Sequence, residues 1–213
     1  MAVELAPGVW RWEREHPDWR PGADFEPEVA CAGIALPSAR LLVDPLWPEE
    51  DDDLDWLDAF AREERLLVAV LKPDHVREAA ELAHAYGGRV VTNGRVAHEL
   101  PRTATVSVLA VGEDIADGAE LLDDGRGRGE TPLWVPTHRT VAFADAVRGD
   151  PDGGLRVWSY PRGREAATRA AVERIAALAP DVVLVGHGAP VVGGGADALR
   201  EALARPPWAD ETS

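Results

Sequence analysis

Residues 66–82, LLVAVLKPDHVREAAEL, decide the fold. Six apolar residues stop at Lys72, and residues 76–83 then repeat apolar positions at helical spacing, which predicts a buried strand, a short loop and a helix. Asp74 would occupy the N-cap of that helix. Because ligands of open α/β folds gather at the carboxyl ends of strands, Asp74 and His75 are candidates for chemistry. The alternative is that Asp74 only caps the helix and His75 lies in its first turn on the surface.

Acidic or histidine side chains also follow two further predicted strands. One strand ends near residue 143 and leads into Asp145, and the apolar strand 181–185 leads into His187 between two glycines. With Asp74 and His75 they make two carboxylates and two imidazoles, which suit a divalent transition metal such as zinc, iron or manganese. Each residue alone has an ordinary explanation in a cap or a turn. Their shared position after apolar strands favours a common site.

The composition indicates an acidic globular protein. The chain has 213 residues with 46% hydrophobic content, and we expect a single domain over residues 1–213. A formal charge of −16 argues against nucleic acid and anionic membranes as partners, and favours a small neutral or cationic ligand, or one held by a metal. No apolar run approaches the roughly 20 residues that span a bilayer, and a signal-peptide pattern is missing, so we expect a soluble, cytoplasmic protein.

Cysteine and lysine each occur only once in the sequence. Cys31 lies in an apolar run and is expected to be a buried, unreactive thiol. Lys72 is the single lysine in a chain with 21 arginines, and it lies within the stretch that decides the fold.

The rest of the chain alternates between predicted strands and helices. A loop at residues 16–28 contains His16 and has no regular period, so it is a candidate for covering a site. Strands are predicted at residues 2–13, 29–36, 40–44, 89–91, 103–111, on both sides of a turn at 136–138, at 153–160 and at 181–185; helices are predicted at 54–64, 165–178 and 196–204.

In their order and spacing, these motifs resemble those of the metallo-β-lactamase fold superfamily. Residues 42–45 (LVDP) are similar to its second-strand signature, and residues 70–75 (VLKPDH) fall where its His-x-His-x-Asp-His motif lies. Residues 143–146 (FADA) are similar to its metal-bridging Gly-Asp-Ala segment, and residues 185–190 (VGHGAP) resemble its closing Gly-His-Gly-x-Pro. The resemblance implies an α/β protein, an αββα sandwich, with its site along one edge between the two sheets.

The resemblance also implies that one of two metal sites is lost. Family members with two metals hold the first ion with the two leading histidines of the motif and a third from a Gly-His-Thr-Pro-Gly turn. In this chain the leading pair becomes Val70 and Lys72, and counting back from Asp145 places the third on Arg126. We expect Lys72 and Arg126 to supply the missing positive charge beside Asp145. The alternative for residues 125–129 is a flexible turn with solvated arginines.

Two functions of different classes follow. In the first, one divalent metal (zinc, iron or manganese) bound by Asp74, His75, Asp145 and His187 activates water to hydrolyse a small ester, lactone or thioester. Asp74 or Asp145 is instead a candidate to orient that water. Four protein ligands would close a tetrahedral site, so catalysis would require five-coordination or the release of one ligand. In the second, the chain is an inactive binding or regulatory protein without metal, in which Lys72 and Arg126 pair with the carboxylates.

Overall fold

A computed structural model describes residues 1–23 and 25–208. Its first sheet has seven strands that neighbour one another in chain order, antiparallel up to the fourth and parallel from there on. They are β1 (Val3–Ala6), β2 (Val9–Glu15), β3 (Glu28–Leu36), β4 (Ala39–Val43), β5 (Leu66–Val70), β6 (Arg89–Thr92) and β7 (Val106–Val108).

The second sheet comes from the C-terminal half and has six strands in the order β15-β14-β11-β10-β9-β8, with β11 and β14 parallel. A separate antiparallel hairpin joins β12 to β13. The strands are β8 (Asp114–Ala116), β9 (Ala119–Leu121), β10 (Leu133–Val135), β11 (Thr140–Phe143), β12 (Val147–Gly149), β13 (Leu155–Val157), β14 (Val182–Val185) and β15 (Val191–Val192).

In the described part of the chain, five helices cover the outer faces of the two sheets. Buried residues of the first three pack on the first sheet, and those of the last two pack on the second. The helices are α1 (Asp51–Glu63), α2 (Ala79–Ala85), α3 (Gly94–Ala97), α4 (Glu165–Ala177) and α5 (Gly195–Ala204). The layers are therefore helix, sheet, sheet, helix, which confirms the αββα sandwich.

The main core lies between the sheets, where side chains such as Leu41 and Leu67 of the first sheet meet Leu133 and Leu184 of the second. All five residues of β5 are buried. A strand covered on both faces requires such a continuous apolar run, which is why residues 66–71 were recognisable. Cys31 is also buried, as expected.

The structure corrects three boundaries. The helix predicted at residues 54–64 begins at Asp51, so part of the acidic run belongs to its first turn. The strand predicted at residues 103–111 shrinks to β7. After β5, Pro73–His75 forms a 3₁₀ turn and α2 begins only at Ala79, so Asp74 is not its N-cap. Arg77 has a φ of 38°, and this left-handed residue interrupts the predicted continuous helix.

Within residues 1–23 and 25–208, none of the helices combines the length and the apolar character needed to cross a membrane. Asp24, in the predicted loop 16–28, lies outside the described part of the chain.

Candidate metal centre

The predicted site residues meet because the strands that precede them end at one edge of the sandwich. β11 and β14 are parallel, and Phe143 pairs with Val185 at their carboxyl ends. Asp145 and His187 each lie two residues beyond this pair, so both reach the same edge of the sheet. The segments that follow the two strands pass so close together that residue 186 must be glycine, since a Cβ atom there would lie 2.5 Å from the carbonyl oxygen of Ala144. The turn after β5 brings His75 to the same point from the other sheet.

Three side-chain atoms converge at this edge. Asp145 Oδ1 lies 3.3 Å from His75 Nε2 and 3.5 Å from His187 Nε2, and all three ligand atoms lie within 4.8 Å of one another. Asp145 Oδ1 is buried without a hydrogen-bond partner among the described residues. Tetrahedral ligands at about 2.1 Å from zinc would be roughly 3.4 Å apart, so the spacing and the donor types fit one divalent transition metal ion.

Asp44 orients His75 from behind. Its Oδ2 lies 2.8 Å from His75 Nδ1, and its Oδ1 accepts a 2.8 Å hydrogen bond from the backbone of Leu71. The residue is buried and has a φ of 44°, directly after β4. A carboxylate that holds one ring nitrogen leaves the other directed at the metal site, an arrangement that also makes the imidazole a better ligand. The sequence placed Asp44 in a strand-end motif but assigned it no role.

His187 has a looser partner in the loop that covers it. Its Nδ1 lies 3.6 Å from Glu26 Oε2, which is beyond hydrogen-bond distance. Trp158 and Phe25 contact its ring edge-on, with centroids 5.2 Å and 6.1 Å away. His187 is therefore positioned mainly by aromatic packing, whereas His75 is positioned by a carboxylate.

The electrostatics of the three groups differ. Burial and the Arg77 charge favour neutral His75, but the Asp145 and Asp44 carboxylates outweigh them and raise the pKa of His75 to about 9. Burial lowers the pKa of His187 to about 4, so its imidazole is neutral at physiological pH. Burial opposes ionisation of Asp145 as well, yet His75, Lys72 and His187 hold the pKa of that carboxyl well below its usual range. Without a metal ion, His75 is therefore an imidazolium between two carboxylates.

Lys72 lies beside the group of three. Its ammonium donates to Asp145 Oδ2 and, at 2.6 Å, to Asp74 Oδ2. Although burial disfavours its charge, these two carboxylates raise the pKa of Lys72 above its ordinary value. The Asp74 side chain is 65% exposed and lies outside the group of three. The structure thus brings together three of the four predicted ligands and joins the fourth to them through Lys72.

Arg126 is buried rather than solvated, so the alternative of a flexible turn is wrong for this arginine. Its Nη2 donates a 3.1 Å hydrogen bond to Ser159 Oγ, and its Nη1 lies 3.7 Å from Glu130 Oε2. Arg128 in the same segment is exposed. The positive charge of Arg126 therefore faces Glu130 and Ser159, while that of Lys72 faces Asp145.

Glu130 is a residue that sequence reasoning missed. Its fully buried carboxylate accepts backbone hydrogen bonds of 3.0, 3.1 and 2.8 Å from Ala144, Asp145 and Ala146. Burial and the Asp145 and Asp124 charges raise the pKa of Glu130 to about 8, although Arg126 and these hydrogen bonds oppose the shift. Glu130 fixes the backbone that carries Asp145. The only sequence signal was a lone acid next to the glycine-rich segment.

A cavity of about 560 Å³ opens over the group of three. His16 lines it, so the N-terminal loop does reach the site. The aromatic wall comes from Phe25, Trp158 and Trp208. The remaining lining residues include Asp18, Val29, Lys72, Asp74, Arg77, Arg126, Arg128 and Ser159.

Solved structures with the same architecture cover nearly the whole chain. VMB-1 at pH 5.5 matches with a TM-score of 0.67 and 11% identity over 96% of this chain and 94% of its own. A metallo-β-lactamase from Pontibacter korlensis matches with a TM-score of 0.67 and 15% identity, over 97% and 99%. The metallo-β-lactamase FIM-1 from Pseudomonas aeruginosa, in its mono-zinc form, matches with a TM-score of 0.65 and 12% identity, over 96% and 94%. At these identities the likeness shows the fold alone.

Membership rests on the sequence itself. No curated protein matches the chain. The sequence profile of the metallo-β-lactamase superfamily matches residues 17–205, a span that includes His75, Asp145 and His187. The chain therefore belongs to the metallo-β-lactamase superfamily.

Proposed function

We propose that this protein is a hydrolase that uses one divalent metal ion, held by His75, Asp145 and His187. The observation that carries the proposal is the convergence of two imidazole nitrogens on Asp145 Oδ1, at 3.3 and 3.5 Å. Three protein ligands leave a position for water or substrate, as catalytic zinc sites do. Leaving Asp74 out of the ligand set removes the difficulty of a closed tetrahedral site.

The side chains around this group have separate tasks. An ion held there would supply the Lewis acidity that activates a water and polarises the scissile carbonyl. Asp44 fixes the tautomer and orientation of His75 through the 2.8 Å contact to Nδ1. Asp74 lines the cavity next to the ligands, and we assign to its carboxylate the orientation of the attacking water.

Lys72 takes the place of a second ion in this proposal. Its ammonium contacts Asp145, the residue that bridges two metals in the family resemblance, and it also contacts Asp74. A fixed positive charge there helps to keep the Asp145 carboxylate ionised without a second metal ion. We infer that one metal ion, rather than two, completes the site.

The size and wall of the cavity support a small substrate with an apolar part. A volume of about 560 Å³ lies within the range of roughly 300–1,000 Å³ that is typical of small-molecule pockets. Phe25, Trp158 and Trp208 give it an apolar side for the body of the substrate. We propose a small ester, lactone or thioester.

A metal-free binding protein is the second candidate. The direct Lys72–Asp145 contact favours it, because the ammonium already neutralises one carboxylate oxygen. The raised pKa of His75, at about 9, lets its imidazolium compensate the Asp44 and Asp145 charges without an ion.

A hydrolysis assay separates the two candidates. We would assay zinc-reconstituted protein on 4-nitrophenyl acetate, γ-butyrolactone and an acetyl thioester, before and after removal of zinc by a chelator. The hydrolase proposal predicts turnover of at least one substrate that chelation abolishes and zinc restores. His187→Ala should be inactive, while His84→Ala, an exposed helix residue, should retain activity. Activity that is equal with and without zinc, or absent throughout, would contradict it.

A further inference from the structure

The charge of the cavity differs from that of the whole chain. The chain has 38 acidic and 22 basic residues. Among the described residues that line the cavity, the basic ones are Lys72, Arg77, Arg126 and Arg128, against the carboxylates of Asp18, Asp74 and Asp145. A locally basic cleft attracts anions even when the protein as a whole is acidic.

Lys72 and Arg77 are bound to oxygen atoms of the protein. Lys72 donates to both Asp74 and Asp145. Arg77 uses one terminal nitrogen for the backbone carbonyls of Ala30 and Asp44, at 3.1 and 2.6 Å. Both side chains therefore serve mainly to build the site.

Arg126 leaves two guanidinium nitrogens without an acceptor among the described residues, whereas Arg77 leaves one, its Nε. The Arg126 side chain is only 4% exposed. Nη2 donates to Ser159, whereas Nε and Nη1 have no hydrogen-bond acceptor within residues 1–23 and 25–208. The neighbouring carboxylate, Glu130 Oε2, lies 3.7 Å from Nη1 and already accepts hydrogen bonds from Asp145 and Ala146. Unsatisfied buried donors of this kind lower stability and call for an explanation.

We propose that Arg126 anchors an anionic group, a carboxylate or a phosphate, on the substrate. This inference rests on the proposed hydrolase function and narrows its substrate class to small acidic esters, lactones or thioesters. A planar guanidinium binds both groups through paired hydrogen bonds, which gives orientation as well as affinity. Arg126 and the group of three line the same cavity, so one small molecule can contact both. The net charge of the whole chain favours a neutral or cationic ligand, or one held by a metal; this proposal instead makes the ligand anionic.

The anion site can be tested without the metal. We would titrate chelator-treated protein with glutarate and, separately, with inorganic phosphate by calorimetry. We expect saturable binding of at least one, weakened about tenfold or more in Arg126→Gln. Arg40→Gln is the matched control, since Arg40 pairs with Glu63 on a different face. Arg126→Lys keeps the positive charge but lacks the planar pair of N–H donors, so it should bind the anion with intermediate affinity. This variant provides the test if Arg126→Gln does not fold. Equal binding by wild type and both Arg126 variants, or no binding of either anion, would overturn the inference.

A substrate pair tests the same site in the zinc-loaded enzyme. 4-Nitrophenyl hydrogen glutarate carries a carboxylate that 4-nitrophenyl butyrate lacks. We expect the wild type to prefer the acidic ester by about tenfold or more in kcat/KM, and the preference to fall toward one in Arg126→Gln. Anion binding without hydrolysis of either ester would contradict the hydrolase alone. Hydrolysis without anion binding or preference would contradict the role of Arg126 alone.

Discussion

The ammonium group of Lys72 donates a hydrogen bond to the carboxylate of Asp145, whose other oxygen lies within 3.5 Å of both site histidines. One carboxylate therefore faces a fixed cation on one side and the imidazoles of His75 and His187 on the other. The contact also joins the end of β5 in the first sheet to the end of β11 in the second. Lys72 thus stabilises this edge of the sandwich and also balances negative charge in the site.

Replacing Lys72 by alanine should destabilise the protein. The variant leaves Asp145 without its cation, and we expect a loss of about 3 kcal/mol, toward the low end for buried pairs because both side chains keep some exposure. For a chain of this size that lowers the melting temperature by roughly 6–12 °C. Differential scanning calorimetry of chelator-treated protein measures it. Arg62→Ala, which removes an exposed pair with Asp58, is the control and should change little. An unchanged melting temperature and zinc affinity in Lys72→Ala would sink the proposed substitution of a lysine for an ion.

Replacing Asp44 by asparagine should weaken metal binding while the fold is retained. Asparagine tolerates the φ of 44° and can still accept the hydrogen bond from Leu71. Its amide donates to His75 Nδ1, which moves the ring proton to Nε2, the nitrogen that faces Asp145. We expect zinc affinity to fall by about 10–100-fold in a chelator competition assay. Wild-type affinity in this variant would show that Asp44 does not set the tautomer.

Replacing Glu130 by glutamine should loosen the segment that carries Asp145. Glutamine keeps one acceptor oxygen but turns an NH₂ group toward at least one of the three backbone N–H donors at residues 144–146. A loss of about 1–3 kcal/mol in the free energy of unfolding is expected from the unsatisfied donors. Urea denaturation at pH 9, where a carboxyl with a pKa of about 8 is ionised, gives this value, and Glu63→Gln at an exposed position is the control. Equal stability of the two variants would argue against a structural role for Glu130.

We expect Asp150, outside the candidate metal centre, to make a contribution to folding stability that is lost at acid pH. Its buried carboxylate contacts Arg156 at 2.6 Å and Arg205 at 3.1 Å, and it accepts the backbone N–H of Asp152. Burial alone would raise the pKa of Asp150, but these partners outweigh it and lower that pKa. Because the folded-state pKa is the lower one, the stabilisation is present above the ordinary value of about 3.9 and is lost as pH falls through the folded-state value.

Asp150→Asn should therefore be less stable than wild type at pH 7, and the difference should shrink as pH falls below about 4. Urea denaturation at pH 7, 5 and 3.5 measures the difference in the free energy of unfolding. Asp152→Asn, at an exposed position in the same turn, should show little difference at any pH. A wild-type advantage over Asp150→Asn that is constant across this range would contradict the assignment of the lowered pKa to Asp150.

Much of the fold was predictable because its strands are covered on both faces. Residues 66–71, 141–144 and 182–185 form continuous apolar runs, and each ends next to or two residues before a residue of the site. His75, Asp145 and His187 could be selected together for that reason. The position of Asp74 could not be foreseen, because the positive φ of Arg77 delays the helix and leaves the Asp74 side chain beside Lys72.

The supporting residues were harder to find because they act through backbone contacts between distant segments. Glu130 holds the N–H groups of residues 144–146, and no periodic pattern marks that contact. Trp158 and Trp208 form the aromatic wall although they lie in the C-terminal part of the chain. The inward position of Arg126 was expected only from the family resemblance, since a glycine-rich segment by itself usually indicates an exposed turn.

The most direct test of the single-metal site is the zinc content per chain, measured by elemental analysis after incubation with excess zinc and removal of unbound ions. We predict about one zinc ion per wild-type chain and close to none in His187→Ala, because the variant removes one of three ligands. His84→Ala should retain the wild-type content. No zinc in the wild type, or an equal amount in His187→Ala, would contradict a metal ion held by His75, Asp145 and His187.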